Sequence, residues 1–187
     1  MESLNKLRKF YHLKNVERAG TVLSRKESAA EHSWSTLVLA DYFLNQMGSK
    51  LDRLKVYELL IYHDVVEIES GDIPIHHEEA RKDKERKEKE AMKKLKEDFP
   101  TVMKEKVWNL FVEFEEQQTT EAKFAKAIDK LDSIIHELDY KKDWKGWTEE
   151  MVRRFHGPAI SEFKELQQRF DKILGFCKKE GYFDQTK

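Results

Sequence analysis

The reading of this chain turns on Tyr62 to Pro74, YHDVVEIESGDIP. A His63-Asp64 pair and then Glu67 interrupt an otherwise apolar run, and Gly71 and Pro74 close it. The pattern predicts one helix from about Leu51 to Ser70 with Leu54, Tyr57, Leu60, Ile61 and Asp64 on its inner stripe. Adjacent helical residues point about 100° apart, so His63 and Asp64 can share one ion only over the seam between their directions. Glu67 falls four residues after His63 and three after Asp64, on the same face one turn on. Left without partners in an apolar helix, these groups would cost several kcal/mol. A divalent cation is one compensation and a hydrogen-bonded core histidine is the plainer one; an isolated His-Asp pair does not choose between them.

Outward from this stretch the chain reads as helices. Leu4, Leu7 and Tyr11, with Phe10 and Leu13 one step off, predict a first amphipathic helix from Leu4 to Val16, ended at Gly20. A loop from Thr21 to Lys26 leads to Ser28-Ala29-Ala30-Glu31, the capping box that opens a helix, and Glu31 is assigned to capping before chemistry. His32 then sits in the first turn of a second helix that runs to about Gly48, with Trp34, Leu37, Val38, Asp41 and Leu44 on one side. Downstream, His76 and His77 read as solvent-exposed loop residues more readily than as a second metal site. Residues 81 to 98 hold nine Lys or Arg against six Asp or Glu, a local net of +3. With Asp83–Lys87, Glu85–Lys89 and Glu90–Lys94 at helical spacing, that run reads as a solvated helix or mobile lid more readily than as a phosphate or nucleic-acid contact.

After Pro100, Val107, Trp108, Phe111 and Phe114 predict a helix whose aromatic face suits a core or a subunit contact. Thr119-Thr120 opens the next, where Phe124, Ile128, Leu131, Ile135 and Leu138 form an inward face and Asp129, Asp132 and His136 lie on the adjoining stripe. Trp144 and Trp147 flank Gly146 in a connection. Glu149 to Phe155 reads as a short helix ended by Gly157-Pro158, and Ile160 to Cys177 as the last.

Composition agrees with an all-α domain. The 187 residues, 39% hydrophobic and 38% charged, suit one domain, 1–187, with a real core and a densely charged surface, and 7 Gly and 3 Pro are too few for the turns of an all-β fold. No run approaches the ~18 apolar residues of a membrane helix. MESLNKLRKFYHL lacks the continuous apolar core of a secretory signal. Cys177 alone excludes an internal disulfide and is compatible with a reducing cytosol. A net charge of −1 offers no global basic field to recruit nucleic acid.

A cation used for hydrolysis wants imidazole and carboxylate ligands with positions open for water and substrate. The candidates are His32, His63, Asp64 and one of the acids on the Asp129 helix, Asp129 or Asp132, for which a salt bridge to Lys126 or Lys130 is the alternative. Glu67 is placed to orient or deprotonate water, or to protonate a leaving group. Arg18, fourteen positions before His32, either forks a phosphate near the ion or caps a helix C-terminus.

AEHS at Ala30 to Ser33, YHDVVEIESGDIP, and AIDKLD at Ala127 to Asp132 together resemble the HD-domain superfamily of metal-dependent phosphohydrolases, more closely its HD-domain 5′-nucleotidase branch, which includes bacterial 5′-deoxynucleotidase. The ordered match spans Leu13 to about Tyr140, with C-terminal helices over 147–181 beyond it. The resemblance implies an all-α, single-domain helical bundle with the metal site between helices, usually dimeric, that holds one divalent ion and hydrolyses nucleoside 5′-monophosphates to nucleoside and phosphate. By position it makes His32, His63, Asp64 and Asp129 the ligands, with Asp132 the less favoured acid. It makes Glu67 the acid that activates water, Asp72 a contact to the sugar hydroxyls that also assists proton traffic, and Arg18 of LKNVERAG the phosphate-binding residue, leaving Glu69 to the surface. Two His and two carboxylates suit Mn, Co, Zn, Ni or Fe. Ala19 departs from the bulky aromatic that the deoxynucleotidase type carries there, which leaves the sugar preference open.

Two rivals stand beside this reading. HDVVE also resembles the guanosine-tetraphosphate pyrophosphohydrolase branch, whose motif usually continues with further acid-Thr residues in place of Ile68 to Asp72. A non-catalytic HD scaffold that binds partners through residues 81–98 is the other, and the intact ligand set weighs against it.

Overall fold

A computed structural model describes residues 1–48, 50–75, 77, 79 and 82–184. His76, and with it the expectation for the His76-His77 pair, and Arg81 at the head of the charge run lie outside the described residues. The elements are α1 (Glu2–Phe10), a 3-10 turn (Tyr11–Asn15), the strands β1 (Glu17–Val22) and β2 (Arg25–Ser28), then α2 (Ala29–Met47), α3 (Arg53–Tyr62), α4 (Glu67–Ser70), α5 (Lys84–Glu97), α6 (Thr101–Glu116) and α7 (Thr120–His136). Two 3-10 segments (Glu137–Asp139, Lys141–Trp144) lead to α8 (Glu149–Ile160) and α9 (Lys164–Lys179). No helix among the described residues is long and apolar enough to cross a membrane.

Local chemistry sets the helix ends. Ser28 and Glu31 close a reciprocal capping box on α2, while Asp52, Thr119 and Thr148 cap α3, α7 and α8 with side-chain oxygens. Each such cap stabilises its helix by about 1 kcal/mol. Gly48, in the left-handed region at φ 54°, ends α2. The main core gathers Phe43 of α2, Leu59 and Leu60 of α3, Phe124, Ile128 and Leu131 of α7, and Phe170 and Leu174 of α9. A second cluster joins Val65 and Val66 to Met92, Leu95, Phe99, Val107 and Phe111, so α5 and α6 clasp the turn that follows α3. Full burial of one such side chain stabilises the fold by roughly 1.5–3 kcal/mol.

Several expectations are corrected. The first helix stops at Phe10, and Arg18 and Gly20, expected at its end, lie with most of the expected Thr21–Lys26 loop in a two-stranded antiparallel hairpin. Gly20 gives the His136 ring room there, since a Cβ on it would lie a tight 3.3 Å from that ring. The Leu51–Ser70 helix breaks over 63–66 into tighter turns, with Val65 N–H donating to Tyr62 O and Glu67 N–H to Asp64 O. α8 runs on through Gly157 and Pro158, and α9 begins at Lys164.

Side-chain expectations shift as well. On α2, Leu44 is buried but Trp34, Val38 and Tyr42, at steps of four, face solvent. Val107, Phe111 and Phe114 of the aromatic helix are core. The charge run is docked: Met92 and Leu95 of α5 are fully buried, Lys84 pairs with Glu88, and Arg86 bridges Asp83 and Glu90. Lys94 turns to Glu69 instead of Glu90, and Lys9 joins the same acid, so Glu69 ties α1 and α5 to α4.

Candidate metal centre

Three helices deliver the candidate ligands to one point. The capping box fixes the first turn of α2, which directs His32 inward, fully buried. At the end of α3 the His63 ring nitrogen Nδ1 donates to the Leu60 carbonyl at 2.8 Å, a group that can only accept. The ring therefore takes the carbonyl that a continuing helix would give Asp64 N–H, and its Nε2 lone pair points into the cluster. α7, packed against both, presents Asp129.

His32 Nε2, His63 Nε2 and an Asp129 oxygen lie within 4.8 Å of one another. Asp129 Oδ1 is 3.1 Å from His32 Nε2 and 4.0 Å from His63 Nε2. Asp64 joins them, with Oδ1 3.2 Å from His63 Nε2 and Oδ2 4.0 Å from His32 Nε2. All four sequence candidates are thus brought together. Asp132 is set behind them: its Oδ2 accepts from Ser35 Oγ at 2.7 Å and lies 3.0 Å from His32 Nδ1, on the side of the ring away from the cluster. It fixes the orientation of His32, as an acid behind a ligating imidazole does.

The residues present fit a divalent cation. His63 Nε2 and Glu67 Oε2 are buried without a hydrogen-bond partner, which is costly unless something else engages them. Burial and Arg18 push His32 down, yet hydrogen bonds with Asp129 and Asp132 prevail and raise it to about 9. Against burial, His63 and Arg18 hold Asp64 below the usual carboxylate range, and Lys130 and His32 hold Asp129 well below it. So much fixed negative charge on two imidazoles is the donor set of a borderline divalent metal.

Around this point opens a cavity of about 380 Å³, within the range of small-molecule sites. Arg18 of β1 enters it with a side chain 15% exposed, donating from Nε to Glu27 Oε2 and from Nη1 to Asp64 Oδ2, both at 3.2 Å. It caps no helix. Glu67 lines the cavity from the first turn of α4; burial, then Asp64 and Asp72, push its carboxyl well above the usual range. Asp72, just past Gly71, also lines it, as does Ala19. Lys130 makes the salt bridge expected for this helix, its Nζ 2.9 Å from Asp129 Oδ2, whereas sequence reasoning missed Glu27, Ser133 and Glu137, which also line the cavity. Ser133 and Glu137 fall one and two turns after Asp129, which is the signal that could have found them; Glu27 has no such local signal.

A helical frame that gathers two imidazoles and two carboxylates beside a buried Arg defines an all-α domain of metal-binding type. Residues 10–169 match the HD-domain family, and the chain belongs to that family. It is 34% identical over 133 residues to the 5′-deoxynucleotidase HDDC2 of Xenopus laevis, covering 70% of this chain and 65% of that one. To human 5′-deoxynucleotidase HDDC2 it is 33% identical over 141 residues, covering 72% and 66%. The chain thus spans just under two thirds of the length of these curated relatives. A protein described as a predicted metal-dependent phosphohydrolase from Magnetospirillum magnetotacticum superposes with a TM-score of 0.88 at 28% identity, over 98% of this chain and 95% of that one. An HD-domain phosphohydrolase from Listeria innocua, at 23% identity and a TM-score of 0.65 over 93% and 84%, shares the fold.

Proposed function

We propose that the chain is a metal-dependent phosphomonoester hydrolase of the 5′-nucleotidase type, acting on deoxynucleoside or nucleoside 5′-monophosphates. The observation that carries this reading is His63 Nε2, orphaned among His32, Asp64 and Asp129 next to the buried Arg18. The names of the curated relatives support the substrate class. In this reading His32, His63, Asp64 and Asp129 hold one ion of Mn, Co, Zn, Ni or Fe. Such an ion supplies Lewis-acid polarisation of a phosphoryl oxygen and a more acidic water.

The chain's own groups do the rest. Arg18 offsets the charge of the phosphate dianion and orients it through the N–H groups its neighbours leave free. Water attacks phosphorus as the bond to the 5′-oxygen breaks; Glu67, whose Oε2 has no partner, takes the proton released and returns it to the departing 5′-oxygen. Asp72 meets the sugar hydroxyls and assists that proton transfer. Ala19, small where the resemblance expects an aromatic, leaves room beside the sugar, so ribonucleotides are admitted alongside deoxyribonucleotides. The homodimer and the cytosolic location stay part of this reading, the latter in keeping with Cys177 as a buried free thiol; light scattering of the purified chain tests the former.

A phosphate-release screen over ribo- and deoxyribonucleoside 5′-monophosphates, repeated with each of the five metals, tests the function. Release from at least one nucleotide, abolished by chelation, is expected; no release from any of them in metal-replete protein refutes it.

A further inference from the structure

We infer that Glu27, on strand β2 and outside the family motifs, is the positioning residue that fixes the plane of the Arg18 guanidinium beside the metal centre. The inference rests on the phosphate-binding reading of Arg18. β1 and β2 are paired, with Thr21 opposite Lys26 and Glu17 opposite Ser28, which brings Arg18 and Glu27 together across the ribbon. A guanidinium has five N–H donors and no acceptor. Nε donates to Glu27 Oε2 at 3.2 Å, Nη1 to Asp64 Oδ2 at 3.2 Å, and Nη2 to Ser133 Oγ at 3.5 Å. That accounts for three donors and leaves one N–H on each terminal nitrogen to offer to a phosphate.

Of the two carboxylates that hold the fork, Asp64 is also a metal ligand, so its grip on Arg18 is shared with the ion. Glu27 has no such second duty. It is 4% exposed, and its other oxygen lies 3.5 Å from His136 Nδ1. His136 is fixed in turn, its Nε2 donating to Thr21 O at 2.9 Å and its ring seated where Gly20 has no side chain. Glu27 thus sits buried against the seated His136 ring and presents its other oxygen to Arg18. Without it, the nearby acids Asp64, Glu67 and Asp72 are the partners toward which the guanidinium would turn, and its free N–H pair would leave the phosphate position.

The test uses the full chain reconstituted with Mn²⁺ and measures inorganic phosphate binding by calorimetry, Michaelis kinetics on a deoxynucleoside 5′-monophosphate, and metal content. Glu27→Gln keeps the volume and one accepting oxygen; Glu27→Ala removes both. Phosphate affinity should fall about tenfold in Glu27→Gln and further in Glu27→Ala, with KM rising more than kcat falls and metal content unchanged. In an Arg18→Ala background, Glu27→Gln should change phosphate affinity by less than about twofold, since the coupling partner is gone. Wild-type phosphate affinity in both Glu27 variants, or the same loss with and without Arg18, overturns the inference while leaving the hydrolase reading intact. A wild-type protein that neither binds phosphate nor releases it from any nucleotide overturns both.

Discussion

Two parts of the same cavity wall bury charge in opposite ways. On the side of α5 to α7, Lys84 meets Glu88 at 2.6 Å and Lys126 meets Glu115 at 3.2 Å, each charge closed by one opposite partner. Where α2, α3 and α7 converge, two imidazoles face two carboxylates, and still His63 Nε2 and Glu67 Oε2 have no hydrogen-bond partner. Each such orphan costs about 1–3 kcal/mol if nothing ever fills it. Paired charge is what a fold does to live with a buried ion; orphaned polar atoms arranged around one point are what it does to receive one. The second part is accordingly the proposed metal centre, and the first is scaffold.

Breaking the centre should have the largest effect. Asp64→Ala or His63→Ala should lose the bound metal and lower phosphate release on the order of 10³-fold, read by elemental analysis beside a release assay. Arg18→Ala should keep the metal and cost about 100-fold in kcat/KM, which separates the phosphate contact from the ligands. On the paired side, Glu115→Ala should leave Lys126 buried and alone, lowering stability by roughly 2 kcal/mol in a denaturant titration while metal binding persists. Loss of metal in that variant would erase the distinction between the two parts.

The smallest effect concerns Glu137, a cavity-lining acid outside both parts. Burial, then Asp143, pushes its carboxyl up to about 7. The folded state therefore holds this proton more tightly than the unfolded chain, so its contribution to stability is complete below about 4.5 and is lost as pH rises through about 7. Denaturation at pH 5 and pH 8 should show Glu137→Gln flattening that decline on the order of 1 kcal/mol.

The helical class and the three segments that meet at the centre were legible because each has a local signal. Ser28 and Glu31 announce the start of α2, the alternation of Phe124, Ile128 and Leu131 gives α7 its inward face, and the His63-Asp64 pair stands out against its apolar neighbours. The hairpin was not legible, because its two-residue connection places Leu23 at φ 54° with no Gly or Asn to mark it. Nor was the break after Tyr62, where the His63 ring donates to the Leu60 carbonyl. Glu27 escaped for both reasons: it lies in the unmarked hairpin, and its partners Arg18 and His136 are brought to it only by the tertiary fold. Asp132 was visible on the right stripe of α7, but which face of His32 it meets depends on how α7 packs against α2.

In the proposed function, His32, His63, Asp64 and Asp129 together form one cation site. Elemental analysis of the purified chain, reconstituted with Mn²⁺ and then freed of excess ion, tests it most directly, with Asp64→Ala alongside. One equivalent per chain in the wild type and none in the variant is the result expected; a wild type without metal, or a variant that keeps a full equivalent, would contradict the account.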